Sequence, residues 1–193
     1  MATKTVEVYQ IKVTLRDTKP AIWRRLLAPA DMTLQRLHRV LQAVMGWEDC
    51  HLHEYEIDGE RFGPPASDLW EMDGPRTRSE RTTKLSQVMG WEGAKAKYTY
   101  DFGDSWEHLI VVEKILAPVT GLKYPVCVAG KLHGPPEDCG GVGGYYNLLE
   151  TVGDPTHEDH AHLREWLGEG FDPEEFSLEE VNRKLRGRAL SAS

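Results

Sequence analysis

The stretch Tyr9-Gln10-Ile11-Lys12-Val13-Thr14-Leu15 alternates apolar and polar side chains along its whole length. A period of two is typical of a strand that buries one face and exposes the other. Asp17-Thr18-Lys19-Pro20 breaks this pattern, and residues 22–28 then form a second strand-like segment. The chain therefore begins with a predicted β-hairpin.

A helix is predicted directly after this hairpin. Its apolar residues recur at spacings of three and four: Leu34, Leu37, Leu41 and Val44. Asp31 or Thr33 is suited to cap the free amides at the start, and Gly46 ends the pattern.

Two more hairpins follow. The second has alternating residues 51–57 and the turn signal Asp58-Gly59. A loop is predicted at 63–82 and a short helix near 84–89. The third hairpin has its turn at Gly103-Asp104-Ser105.

The C-terminal third is predicted to be mainly helical. After a strand-like segment at 124–128, the glycines of 140–144 are interpreted as a flexible connector, because the phosphate-loop ending Gly-Lys-Ser/Thr is missing. Helices are expected from about Tyr145, from Asp154-Pro155 and after the capping residue Ser177.

Strands first and helices last indicate an α+β fold. We expect one domain over residues 1–186, with an antiparallel or mixed sheet built from three hairpins and packed with helices. Residues 187–193 are expected to form a flexible tail.

Composition limits the class of protein. The chain has 193 residues, of which 40% are hydrophobic, enough for one core. No apolar run is long enough for a membrane span, and three cysteines argue against a disulfide framework. We therefore expect a cytoplasmic protein with reduced thiols.

Charge is distributed unevenly. Residues 1–45 carry eight Lys or Arg against three Asp or Glu, whereas residues 135–185 carry three against thirteen. The basic half offers four candidate contacts to nucleic acid: Arg24, Arg25, Arg36 and Arg39. The alternative is a solvated surface, which the net charge of −8 favours. The acidic helices are candidates for contact with a partner protein.

One polar site is predicted from separate segments. His51 and His53 lie on the same face of a strand, where two imidazoles can share a zinc or other divalent ion. Asp104 and His108 of the third hairpin are candidate ligands as well. In the alternative interpretation the histidines are core residues and the aspartates only brace the turn.

Cys139 is a further candidate, either as a metal ligand or as a nucleophile. It precedes a predicted helix, whose N-terminus lowers a thiol pKa, but Glu137 and Asp138 act in the opposite direction. A buried thiol in a loop is the alternative.

Ordered motifs run through residues 7–186. They are Tyr9–Leu15, Pro20-x-Ile22-Trp23-Arg24-Arg25, Leu37-His38, Met45-Gly46-Trp47, His51-x-His53, Tyr100-Asp101-Phe102-Gly103-Asp104-x-Trp106-x-His108, Tyr124-Pro125-x-Cys127, Pro135–Gly141 and Phe171-Asp172-Pro173. This set resembles the plasmid pRiA4b ORF-3-like family. The resemblance implies a single α+β domain encoded on plasmids, chromosomes and mobile elements, where it is a passenger protein sometimes labelled resolvase-like. Cys50 stands where the family often has an aromatic residue, so it is not counted among the ligands.

Three functions are compatible with these residues. The first is a non-enzymatic accessory or binding protein. The second is a metal-dependent hydrolase, in which Asp101 or Glu107 transfers the proton. The third is a cysteine enzyme built on Cys139.

Overall fold

The structure is a computed structural model that describes residues 6–64, 77–168 and 170–190. Within these ranges the chain forms eight strands. They are β1 Val8–Leu15, β2 Trp23–Pro29, β3 His53–Ile57, β4 Glu60–Gly63, β5 Arg78–Ser79, β6 Lys95–Tyr100, β7 Trp106–Leu116 and β8 Val126–Lys131. The same ranges contain five helices: α1 Leu34–Met45, α2 Leu85–Val88, α3 Gly141–Gly153, α4 His160–Leu167 and α5 Leu178–Leu190.

The described strands form one sheet in the order β5-β4-β3-β6-β7-β1-β2-β8. All neighbours are antiparallel except β4 and β5, so the sheet is mixed. The three predicted hairpins are β1–β2, β3–β4 and β6–β7, and all three belong to this sheet. The prediction of an α+β fold with a hairpin-built sheet is confirmed.

The core lies between one face of the sheet and α1. Leu34, Leu37 and Leu41 of this helix are fully buried with the inward residues of the strands, such as Ile11 and Ile110. Thr33 caps α1 by accepting a hydrogen bond from the amide of Arg36 at 3.2 Å. Gly46 ends it with φ of 91°, a left-handed conformation that favours glycine.

Helix α5 covers the edge of the sheet at β8. The side chain of Asn182 accepts from the amide of Cys127 at 2.9 Å and donates to the carbonyl of Cys127 at 2.8 Å. These two bonds replace the strand partner that β8 lacks on this side. The helix continues to Leu190, beyond Gly187, where the tail was expected to begin.

The helix expected from about Tyr145 begins four residues earlier, and the glycines 141–144 are helical rather than a connector. The physical reason is close packing. A Cβ on Gly141 would stand 2.4 Å from the carbonyl oxygen of Asp104, and a Cβ on Gly144 would stand 2.0 Å from that of Cys139.

The helix expected from Asp154 begins later, at His160. Asp154 instead accepts hydrogen bonds from the amide and hydroxyl of Thr156 and so stabilises a turn. Residues 65–76 of the loop predicted at 63–82 lie outside the described residues, and within the rest of that segment Arg78–Ser79 form β5, which pairs with β4. None of the helices in the described ranges has the length and apolar character needed to cross a membrane.

Candidate functional site

Three segments that are distant in sequence meet at the imidazole of His51. The first is the segment before β3, which carries Cys50 and His51. The second is the turn between β6 and β7, which begins at Asp101, and the third is the loop before α3, which carries Glu137 and Asp138. Gly141 fixes the second segment against the third, because only a glycine fits against Asp104 there.

Three carboxylates surround the Nε2 atom of His51. The distances are 2.9 Å to Asp138 Oδ1, 3.7 Å to Asp101 Oδ2 and 3.9 Å to Glu137 Oε2. Two ligands that each lie roughly 2.0–2.2 Å from one ion are at most about 4.4 Å apart. All three distances are therefore compatible with an ion bound between these groups.

Two atoms of this cluster are buried without a hydrogen-bond partner among the described residues: His51 Nε2 and Glu137 Oε2. Asp138 is near His51 Nε2 but is not aligned for a hydrogen bond. Unsatisfied buried polar atoms are costly and rare in folded proteins. A cation between them would satisfy both.

The donors form two overlapping groups. Cys50, His51 and Glu137 place one ligand atom each within 4.8 Å of one another, and so do His51, Asp101 and Asp138. His51 belongs to both groups. Its side chain is 28% exposed and that of Asp138 is 67% exposed, so the cluster opens to solvent on the Asp138 side.

Tyr100, the last residue of β6, fixes Glu137. Its hydroxyl donates to Glu137 Oε1 at 3.0 Å and accepts from the amide of Cys50 at 3.2 Å. The amide of Glu48 also donates to Oε1, at 2.8 Å, which leaves Oε2 directed towards His51. Burial raises the pKa of Tyr100, so the phenol stays protonated and keeps donating at neutral pH.

His53 lies away from this cluster. Its ring stacks on that of His38 with 3.5 Å between centroids, and its Nε2 is 2.7 Å from Glu80. His38 contacts Asp49 through Nε2 and the Tyr98 hydroxyl through Nδ1. Burial lowers the pKa of His38, which favours the neutral imidazole. His53 is thus part of a buried hydrogen-bonded network, as in the alternative interpretation.

Neither donor group contains Asp104, His108 or Cys139. Asp104 Oδ2 accepts from the amide of Gly140 at 3.0 Å and so ties the turn to the loop before α3. His108 is fully buried on β7, where Nδ1 contacts the carbonyl of Trp106, and burial lowers its pKa to about 4.

Cys139, the candidate nucleophile, and Glu107, a candidate for proton transfer, belong to neither donor group at His51. Burial, with the charge of Asp104, raises the pKa of Cys139 to about 12, so its thiol is protonated at neutral pH. This environment is the opposite of the one a nucleophilic cysteine needs. Glu107 forms ion pairs with Arg16 and Lys97 on the sheet.

Two of the four arginines that are candidate contacts to nucleic acid bind groups of the protein itself. Arg24 is 2% exposed and donates to the carbonyls of Val44, Trp23 and Lys131, and burial lowers its pKa to about 10. Arg25 makes a two-pronged ion pair with Glu113. The alternation of side chains along β2 places Arg24 on the buried face of the sheet, so counting basic residues alone overstates the charge at the surface.

Sequence reasoning missed Cys50, Glu137 and Asp138 as potential ligands. Glu137 and Asp138 were considered only for their effect on the thiol of Cys139. Two adjacent carboxylates after Pro135-Pro136 are a signal that could have identified them. Cys50 was not counted among the ligands because the family often has an aromatic residue there, yet it lies beside His51 and Glu137.

The fold and the site define an α+β protein with a His- and carboxylate-lined cluster at the ends of interior strands of a hairpin-built sheet. Residues 7–180 match the family described as plasmid pRiA4b ORF-3-like protein, and the chain belongs to this family. The predicted resemblance is confirmed.

Two similar proteins extend this comparison. Uncharacterized protein y4hQ of Sinorhizobium fredii is 40% identical over 179 residues, which cover 92% of this chain and 90% of y4hQ. The crystal structure of MM3350 from Methanosarcina mazei Go1, a protein of unknown function, is also 40% identical. It superposes with a TM-score of 0.81 over 92% of this chain and 98% of that chain.

Proposed function

We propose that this protein binds a divalent metal ion at the cluster centred on His51. The observation that carries the proposal is a pair of buried atoms without a hydrogen bond in the described ranges, His51 Nε2 and Glu137 Oε2, which lie 3.9 Å apart. Asp101 and Asp138 bring further oxygen ligands to the same imidazole.

Electrostatics support the proposal. Three carboxylates lie within 3.9 Å of one nitrogen, and Lys or Arg forms no ion pair with any of them within the described part of the chain. Asp101 and Asp138 bring carboxylate oxygens within 4.8 Å of each other, and like charges at such a separation repel. A divalent cation compensates this repulsion, as it does in proteins that bind ions through carboxylate and imidazole groups.

Metal analysis of the untagged protein tests the proposal. After purification without chelators, or after addition of zinc or manganese and gel filtration, we expect about one equivalent of metal per chain. His51→Ala removes the ligand shared by both donor groups and should retain less than about a tenth of an equivalent. His162→Ala, an exposed histidine on α4, is the matched control and should bind like the parent protein.

Metal contents below a tenth of an equivalent in the parent protein would refute the proposal. Equal binding by the parent and His51→Ala would show that the ion is held elsewhere. Circular dichroism on all three proteins separates loss of metal from loss of fold.

A metal-dependent hydrolase is the second candidate function. The observation that favours it is the solvent-open side at Asp138, because catalytic metal sites keep a position for water or substrate whereas structural sites are closed. Asp101 is 7% exposed and close enough to His51 to accept a proton from a molecule bound there.

Hydrolysis of p-nitrophenyl esters and phosphate esters tests this second candidate. We expect turnover by the metal-loaded protein that is lost in Asp101→Asn, while the metal content of that variant remains measurable. Turnover equal in the metal-loaded and the chelator-treated protein would contradict the hydrolase. An accessory role with a protein partner on the acidic C-terminal helices stays a prediction.

A further inference from the structure

The two donor groups at His51 differ in chemistry. His51, Asp101 and Asp138 form a nitrogen and oxygen group that suits manganese or magnesium. Cys50, His51 and Glu137 form a sulfur, nitrogen and oxygen group that suits zinc, since thiolate is a soft ligand. Which group binds the ion decides which metal the protein selects.

Hydrogen bonding distinguishes the two groups. Of the two buried atoms without a hydrogen bond to any described residue, His51 Nε2 belongs to the residue that both groups share, whereas Glu137 Oε2 belongs to a residue found only in the group with Cys50. In the other group, Asp101 already accepts from the amide of Gly103 through Oδ1, and Asp138 has a 67% exposed side chain. The cost of leaving Glu137 Oε2 without a hydrogen bond therefore falls on the group with Cys50 alone.

One hydroxyl positions two members of this group. Tyr100 accepts from the amide of Cys50 and donates to Glu137 Oε1, and its ring packs on Trp47 with 4.9 Å between centroids. Cys50 Sγ lies 3.8 Å from the same hydroxyl oxygen. The phenol thus holds the thiol and the carboxylate on the same side of His51, as an outer hydrogen-bond partner of metal ligands does.

We propose that the site selects zinc, with Cys50, His51 and Glu137 as its protein ligands and Tyr100 as a positioning residue. This inference rests on the proposed metal-binding function and adds the identity of the metal to it. On binding, the Cys50 thiol gives its proton to solvent and the sulfur forms the bond to zinc. A fourth ligand, water or a carboxylate oxygen, would come from the open side at Asp138.

Cobalt substitution gives a direct readout of the sulfur ligand. Co²⁺ replaces zinc in such sites, and a bound thiolate produces a charge-transfer band in the near ultraviolet. We expect this band on titration of the metal-free protein with Co²⁺ and its loss in Cys50→Ser. Cys139→Ser is the matched control, because Cys139 is not part of either donor group, and it should keep the band.

Competition between metals provides the second readout. Zinc affinity, measured against a chromophoric chelator, should fall in Cys50→Ser by at least the roughly 10- to 100-fold that loss of an outer partner costs. Manganese affinity should change little. Tyr100→Phe should weaken zinc binding about 10- to 100-fold but keep the charge-transfer band.

The outcomes separate the two proposals. If the parent protein binds no metal, the proposed function fails and the zinc inference fails with it. If cobalt binds without a thiolate band, or Cys50→Ser keeps the parent affinity for zinc, only the inference is overturned and the metal-binding function stands. A band that disappears in Cys139→Ser would also overturn the assignment of Cys50.

Discussion

At the scale of single residues, the protein buries several ionisable groups and tunes each by its surroundings. His108 is the strongest example. It is fully buried on β7, its Nε2 has no hydrogen-bond partner among the described residues, and burial lowers its pKa to about 4. Its role is therefore that of a neutral core residue, and the same burial removes it from contact with solvent and with a soluble ligand.

Acid should destabilise the protein through His108. Between its unfolded pKa of about 6.5 and its folded pKa of about 4, the unfolded chain binds one more proton than the folded chain. The free energy of unfolding therefore falls as pH falls through this window, by about 3 kcal/mol from this residue alone. Above pH 6.5 the residue makes no pH-dependent contribution.

Urea unfolding at several pH values between 7 and 4 tests this prediction, with His108→Leu as the variant. The variant should lose less stability than the parent protein between pH 6.5 and pH 4. His162→Leu, at an exposed position, should follow the parent protein. Parallel pH profiles for the parent and His108→Leu would contradict the assignment of a lowered pKa.

At the scale of elements, the site depends on the contact between the β6–β7 turn and the start of α3. Gly140 donates its amide to the side-chain carboxylate of Asp104, and Gly141 lies against the backbone carbonyl of Asp104. This contact brings Glu137 and Asp138, which precede α3, towards His51. The glycines that resembled a connector are therefore what positions the loop.

Gly141→Ala should separate these elements. The new Cβ would stand 2.4 Å from a backbone oxygen, and the residue has φ of 67°, so both sterics and conformation oppose the substitution. We expect a loss of stability of at least roughly 1–2 kcal/mol, together with weaker metal binding. Thermal denaturation and the metal titration measure the two effects.

Gly143→Ala is the matched control in the same helix. A Cβ at Gly143 would meet nothing within 4 Å, so this variant should be neutral, or more stable by about 0.5–1 kcal/mol through the higher helix propensity of alanine. Equal behaviour of the two alanine variants would show that the contact with Asp104 does not hold the loop in place.

At the scale of the whole molecule, one sheet connects segments that are far apart in sequence. β3 pairs with β6, so His53 lies opposite Tyr100, and the segment before β3 lies beside the turn that follows β6. The loop before α3 completes the cluster, although its Glu137 follows Asp101 by 36 residues in the sequence. An ion bound at His51 would join all three segments and would stabilise the folded protein by mass action.

In the folded molecule, some of the positive charges of the basic N-terminal segment are used in contacts within the protein. Arg24 anchors the C-terminal end of α1 by donating to the carbonyl of Val44, and its guanidinium packs on the ring of Phe176. Arg25 neutralises Glu113 across two strands. Part of the basic segment thus acts inside the protein rather than as a surface for nucleic acid.

The amino-acid sequence by itself determined the three hairpins, their turns and the first helix. These features are local: they are the alternation at 9–15, the Asp58-Gly59 turn and the caps Thr33 and Gly46. Local hydrogen bonding and side-chain burial are enough to produce them, so they can be predicted from a short stretch of sequence. The sequence also identified the three segments that meet, because each combines polar residue types with turn residues.

Only the tertiary structure decided which side chains meet. Strand pairing turned His53 inward onto His38 and Glu80, whereas the irregular backbone before β3 left His51 facing Asp101, Glu137 and Asp138. A period of two places His51 and His53 together only while both residues lie in a strand, and His51 precedes β3. The carboxylate partners of His51 are 50 residues or more away in sequence, so no local pattern could select them.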